Sequence, residues 1–114
     1  MSTQNDKVPS TEMAVTEDAL VGGRVRLLQP KHGYRVAVDA VLLAAAVDAR
    51  PGERILDLGA GVGSVGLCLA ARVPDCRIVG IELQDALVAL AERNAALNRV
   101  TDRVRTFRHD LAQP

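Results

Sequence analysis

The chain has 114 residues, with 14 basic and 14 acidic side chains, so its formal net charge is zero. That length accommodates one domain and not two. No apolar run approaches the ~18 residues of a membrane span, and no basic segment followed by an apolar block marks a secretory signal at the N-terminus. Two isolated cysteines, Cys68 and Cys76, make neither a disulfide framework nor a zinc site, and read as core thiols of a cytoplasmic protein. With Tyr34 and Phe107 the only aromatic residues, the chain lacks a self-contained platform for stacking nucleobases.

In chain order, residues 1–18 read as a disordered tail. They are polar, contain Pro9, set Lys7 against Asp6, Glu12, Glu17 and Asp18, and show no apolar period. Residues 19–52 read as a hairpin and helix. Alternation over 24–28 predicts a strand, residues 29–33 a turn, and alternation over 34–38 a second strand. Asp39 stands at the N-cap position of an apolar helix that Pro51 cannot continue. The pattern is regular over residues 53–114. Strands are predicted at 53–58, 77–82 and 103–108, with helices at 64–73 and 85–98, the second capped by Asp85. The apolar stripe of that second helix holds Leu87, Leu90, Ala91, Ala95 and Leu97. In the last strand Val104 and Thr106 share one face and Phe107 takes the other. Strand and helix alternating through short loops predict an α/β fold with a parallel sheet. Right-handed crossovers bring the three strand C-termini to one edge, where open α/β sheets bind ligands.

The strongest chemical signal is Leu56-Asp57-Leu58-Gly59-Ala60-Gly61-Val62-Gly63. A chain that leaves a strand and enters a helix within a few residues needs positive φ or close backbone approach, which glycine supplies. Such a turn aims backbone N–H groups and a helix N-terminus at a ligand. The glycine spacing fits both a methyltransferase-type turn and the G-x-G-x-x-G of dinucleotide binders. Asp57 separates the two, because a buried acid before the first glycine repels a diphosphate and suits an amine-bearing or cationic ligand. S-Adenosylmethionine, with its α-amino group and sulfonium, is such a ligand. Glu82, at the end of the second strand, is placed to accept from ribose hydroxyls. Leu83 follows against the adenine face, and Asp110 stands where the adenine amine needs an acceptor. Each acid also has a plainer reading: Asp57 as a loop cap, Glu82 as a solvated strand-end charge, Asp110 as the cap of a following turn. His32 and His109 have no metal-ligand spacing and read as loop residues, so no metal site is expected.

The segments LDLGAGVG, GIEL and HDLA resemble class I S-adenosylmethionine-dependent methyltransferases. Upstream, Gly33-Tyr34-Arg35, Asp39 and Leu42-Leu43 resemble the pattern of small-domain methyltransferases of the tRNA1(Val) adenine-N6 type. The resemblance implies a Rossmann-like methyltransferase fold: the parallel β-α-β-α-β half of a seven-stranded sheet, preceded by a β-hairpin and helix. It implies S-adenosyl-L-methionine as cofactor, with Asp57, Gly59 and Gly61 around the methionine moiety and Glu82, Leu83 and Asp110 around the nucleoside. The helix led by Asp39 would cover the methionine end. It also implies N6-methylation of adenine in tRNA, with protein-glutamine N5 methylation as the alternative that shares the same catalytic device. That device, Asn-Pro-Pro-Tyr/Phe at the end of a fourth strand, occurs nowhere in the 114 residues. No catalytic residue is therefore assigned, and residues 1–114 are expected to bind cofactor without turning over alone. A non-catalytic binding or interaction fragment and an NAD-dependent oxidoreductase remain as rival readings, the latter opposed by Asp57. Without a fourth strand the edge over 55–58 is expected to be open and apolar, inviting self-association or coverage by the N-terminal hairpin. Arginines over 93–108 and 24–35 read either as phosphate contacts for tRNA or as ordinary solvated side chains.

Overall fold

In the computed structural model, residues 14–33, 36 and 38–113 are described. An antiparallel hairpin comes first, β1 (Val15–Leu20) and β2 (Val25–Pro30), followed by helix α1 (Val38–Ala46). Strand β3 (Arg54–Leu58), helix α2 (Ser64–Arg72), strand β4 (Arg77–Glu82), helix α3 (Asp85–Leu97) and strand β5 (Val104–Arg108) complete the order. The three later strands form one parallel sheet, β3-β4-β5, with Ile55 opposite Ile78 and Ile78 opposite Val104. The expected strand–helix alternation and the parallel pairing are both present.

The hairpin differs from the sequence expectation. Its first strand is Val15–Leu20, so residues 15–18 are not part of a disordered tail, and residues 1–13 lie outside the described region. The strand expected over 34–38 is not seen: Tyr34, Arg35 and Ala37 lie outside the described residues, Val36 is irregular, and Val38 already belongs to α1. Cross-strand chemistry accounts for the actual partner. Glu17 pairs with Arg26 across the hairpin, and Gln29 Nε2 donates to Asp18 Oδ2 at 2.8 Å. These acids look loop-like when read singly, and they become strand residues once their partners are opposite.

Two cap assignments also move, by two residues in α1 and by one in α3. Asp39 is the second residue of α1, and Gln84 rather than Asp85 occupies the N-cap of α3. Shifts of this size lie within the ordinary uncertainty of helix ends.

The core lies between the hairpin, the helices and one face of the sheet. Val25 and Leu27 of β2 are fully buried and pack with Leu69, Cys76, Ile78, Leu90, Ala95 and Val104. Helices α2 and α3 therefore sit between two β layers, the hairpin above and the parallel sheet below. Cys68 and Cys76 are free and buried, in keeping with core thiols, and burial pushes the Cys68 thiol up from its ordinary value.

The other face of the sheet carries no helix among the described residues. Along it Leu56 is 60% exposed, Leu58 56% and Phe107 48%, with Val79 beside them. The guanidinium of Arg105 lies 5.5 Å from the Phe107 ring centroid. The hairpin forms its own sheet and does not pair with β3, so β3 has an unpaired edge among the described residues.

Several arginines are engaged inside the fold. Arg103 donates to the carbonyls of Ala70, Val73 and Cys76, and Arg24 to that of Ala71, around the C-terminal end of α2. Arg72 donates to the carbonyls of Ala44 and Val47 at the end of α1. Cationic donors at helix C-termini satisfy orphan carbonyls and complement the dipole. Arg105 pairs with Glu92, and Arg26 with Glu17. These contacts reduce the number of arginines available to phosphates.

The candidate cofactor site

Strand β3 delivers Asp57 to the C-terminal edge of the sheet, and the chain then turns through Gly59 to Gly63 into α2. Gly59 has φ of 75° and Gly61 of 59°, values that L side chains adopt with strain. The turn is anchored onto β4: the N–H groups of Gly59 and Ala60 both donate to the Ile81 carbonyl, at 2.8 and 3.0 Å. Gly61 N–H donates to Glu82 Oε1 at 2.8 Å, and Gly63 N–H to the Ala60 carbonyl at 3.0 Å. Three of these amides thus hold the turn to the sheet, the fourth closes the turn on itself, and all four are already bonded within the protein. At the N-terminus of α2, Ser64 and Val65 line the cavity described below.

Glu82 is only 7% exposed and braces the site from β4. Its second oxygen accepts from Gln84 N–H at 2.9 Å, so one carboxylate joins the glycine turn to the start of α3. A carboxylate has about four acceptor sites, and each oxygen retains one. Asp57 stands beside it, its carboxyl held above the ordinary value of 3.8, first by burial and then by the Glu82 charge.

A cavity of about 740 Å³ opens against this edge, within the range that holds small organic ligands. Asp57, Gly59, Ala60, Gly61 and Val62 form one wall. Gln29 and Pro30 of the hairpin, with His32 and Gly33, form another, and Asp39, Ala40 and Leu43 of α1 contribute a third. Of the sequence-predicted residues, Asp57, Gly59 and Gly61 reach the wall, and the helix that holds Asp39 lines the same cavity. Glu82 is not among the lining residues and meets the turn through its bond to Gly61 N–H. Leu83 is 51% exposed just beyond it. Asp110 caps the following turn, accepting from Ala112 N–H at 2.9 Å, which is the plainer of its two readings.

Two residues escaped the sequence reading. Gln29 is buried, lines the cavity, and holds Val36 N–H through its Oε1 at 2.7 Å. Gly80, in the middle of β4, lies under the turn: a Cβ there would stand 2.8 Å from Ala60 Cβ. A glycine inside a strand was the available sign of such a close approach.

The wall chemistry selects among ligands. Among the described residues that line it, the carboxylates are Asp39 and Asp57 and none is a lysine or arginine. A diphosphate would meet acids and a turn whose amides are already bonded, whereas an amine and a sulfonium meet carboxylates. The residues present fit S-adenosylmethionine.

The family model for the methyltransferase small domain matches residues 34–114. The chain belongs to this family. As a class I S-adenosylmethionine-dependent methyltransferase domain of the small-domain type, it resembles the tRNA1(Val) (adenine(37)-N6)-methyltransferase of Bacteroides thetaiotaomicron. Identity there is 38% over 82 residues, covering 71% of this chain and 35% of that protein. It is also 35% identical over 88 residues to the release factor glutamine methyltransferase of Geobacter sulfurreducens, covering 77% of this chain and 29% of that one. An RNA methyltransferase from Salinibacter ruber, solved with S-adenosyl-L-homocysteine, superposes with a TM-score of 0.61 at 29% identity. The match covers 71% of this chain and 53% of that one. The chain spans about a third of the length of these curated relatives.

The small domain's Asp57 yields a prediction with opposite signs for stability and binding. Because its folded value lies above the unfolded one, the folded chain binds this proton more tightly. Its contribution to stability therefore falls as pH rises from about the unfolded value through the folded one. Asp57→Asn is expected to raise the thermal midpoint at pH 7, with the gain shrinking toward pH 4. The same variant should weaken S-adenosylmethionine binding by about tenfold or more, since an amine loses a charged acceptor. Melts across pH and calorimetric titration check the two halves.

Proposed function

We propose that this domain supplies the cofactor-binding portion of a methyltransferase acting on an adenine N6 amine in tRNA. The observation that carries the reading is the cavity walled by Asp57, Gly59 and Gly61, with Glu82 bracing the turn, in a chain whose relatives include tRNA1(Val) (adenine(37)-N6)-methyltransferases. In this reading Asp57 receives the α-amino group, and Glu82 offers its remaining acceptor sites to the ribose. Leu83 lies against the adenine, and Asp110 accepts from its amine while capping the next turn. The domain acts in the cytoplasm. Among the described residues no helix is long and apolar enough to cross a membrane.

A second reading, methylation of a protein glutamine, is supported by the similarity to the release factor enzyme. The Gly33-Tyr34-Arg35 and Asp39 pattern upstream of the turn favours the tRNA branch. Residues 1–114 contain no Asn-Pro-Pro-Tyr/Phe to orient an amine. Methyl transfer depends mainly on that positioning, so cofactor binding without turnover is expected of them.

Calorimetric titration with S-adenosylhomocysteine and with NAD, followed by a radiolabelled methyl-transfer assay on tRNA and on a release factor, tests each level. Binding of S-adenosylhomocysteine without label transfer agrees with the proposal. Tighter binding of NAD would sink the cofactor assignment, label in tRNA would refute the inactivity, and label in a glutamine would favour the second reading. The unpaired β3 edge and its exposed leucines support self-association. Sedimentation at rising concentration reads it, and a persistent monomer would count against it.

A further inference from the structure

Asn94 is a fully buried carboxamide in the middle of α3. Its Oδ1 accepts from Leu28 N–H at 2.7 Å, and its Nδ2 donates to the Leu28 carbonyl at 2.8 Å and to the Val62 carbonyl at 2.9 Å. Only this orientation of the amide satisfies all three contacts. One turn later, Asn98 repeats half of the arrangement. Its Oδ1 accepts from Arg26 N–H at 2.9 Å and its Nδ2 donates to the Arg26 carbonyl at 2.7 Å, with no bond to the glycine turn. The spacing of four on a helix matches the spacing of two on a strand, so the pair occupies the edge of β2 that faces away from β1.

The difference between the two asparagines is what matters. Asn98 bonds the hairpin and, through its Nδ2, the Asn94 carbonyl of its own helix at 2.8 Å, but not the glycine turn. Asn94 holds the hairpin and the cofactor turn at the same time, and those are two walls of one cavity: Gln29 follows Leu28, and Val62 lies within the turn. A rigid carboxamide between them fixes how far apart the walls stand.

We propose that Asn94 is the positioning residue that sets the separation between the hairpin wall and the glycine-turn wall of the cofactor cavity. The proposal rests on the assignment of that cavity to S-adenosylmethionine, although the mechanical link does not require it. It acts through backbone groups and touches no ligand.

The test uses the 114-residue chain. In native-state hydrogen exchange of the wild type without ligand, the Leu28 and Gly63 amides should open together, with protection factors within about threefold. Leu28 opening well before Gly63 overturns the link. In Asn94→Asp, which keeps the acceptor for Leu28 and removes both donors, Gly61 and Gly63 should exchange about tenfold faster, and S-adenosylhomocysteine should bind about tenfold more weakly. Asn98→Ala removes a comparable hairpin anchor and should leave both readouts within about twofold of wild type. Equal losses in the two variants would show that only hairpin docking matters and would overturn the proposal. Unchanged turn exchange in a folded Asn94→Asp would do the same. Absence of S-adenosylhomocysteine binding to the wild type would sink the cofactor assignment and leave the ligand-free exchange to decide the link.

Discussion

Glu82→Gln is expected to lower the affinity for S-adenosylhomocysteine by about a hundredfold, the largest loss from any single change at the site. The carboxylate accepts from Gly61 N–H through one oxygen and from Gln84 N–H through the other. Glutamine has one acceptor oxygen, so one of these part-buried donors must face an NH2 group. Losing a charge-assisted bond and stranding its donor destabilises the turn by about 3 kcal/mol, and where binding must supply that free energy to restore the turn the loss is about a hundredfold in a binding constant. The same change removes the charge that helps raise Asp57. The Asp57 carboxyl, followed by carbon NMR, should therefore titrate lower than in the wild type, though still above its ordinary value because burial remains. Undiminished affinity in a folded Glu82→Gln would reduce Glu82 to a brace for the end of β4.

Gly80→Ala is expected to cost about 1–3 kcal/mol of stability and to lower cofactor affinity with it. The new Cβ would stand 2.8 Å from Ala60 Cβ and 3.0 Å from Thr106 Oγ1. Ala60 cannot move away cheaply, because its N–H is bonded to Ile81 and its carbonyl to Gly63. The strain therefore passes into the glycine turn. Ala60→Gly in the same chain removes the opposing methyl and should recover much of the loss. Denaturant unfolding of the two single variants and the double variant measures that coupling. Strict additivity would show that the contact is not the cause.

The parallel half of the fold was legible because its signals are local. The short strand and helix segments over 53–108, the stripe of α3 and the break at Pro51 need no distant partner to be read. The hairpin was misplaced because what makes Val15–Leu20 a strand is distant: Glu17 and Asp18 find Arg26 and Gln29 only after the chain folds back. The alternation over residues 34–38 falls largely outside the described residues, and its last member, Val38, begins α1 instead.

At the site, the position of Glu82 was readable from the strand end, but its role was not. Its bonds to Gly61 and Gln84 depend on where the turn crosses β4. Asn94 did leave a trace, as a polar residue on the same helical stripe as Leu87, Ala91 and Asn98. A buried amide at such a place needs partners, and these came from a strand some sixty residues earlier. Among the arginines over 24–35 and 93–108, sequence offered phosphate contact or solvation, and two of them, Arg24 and Arg103, instead close the end of α2.

The bare sheet face carrying Leu56, Leu58, Val79 and Phe107 has a practical consequence for anyone handling the protein. Hydrophobic dyes whose fluorescence reports loosely packed states respond to accessible apolar surface and not to disorder itself. This chain offers such a surface while its core of Leu27, Leu69 and Cys76 is fully closed. Native protein should therefore light the dye and still unfold in one cooperative step, so a strong dye signal here marks an uncovered sheet and not a melted one.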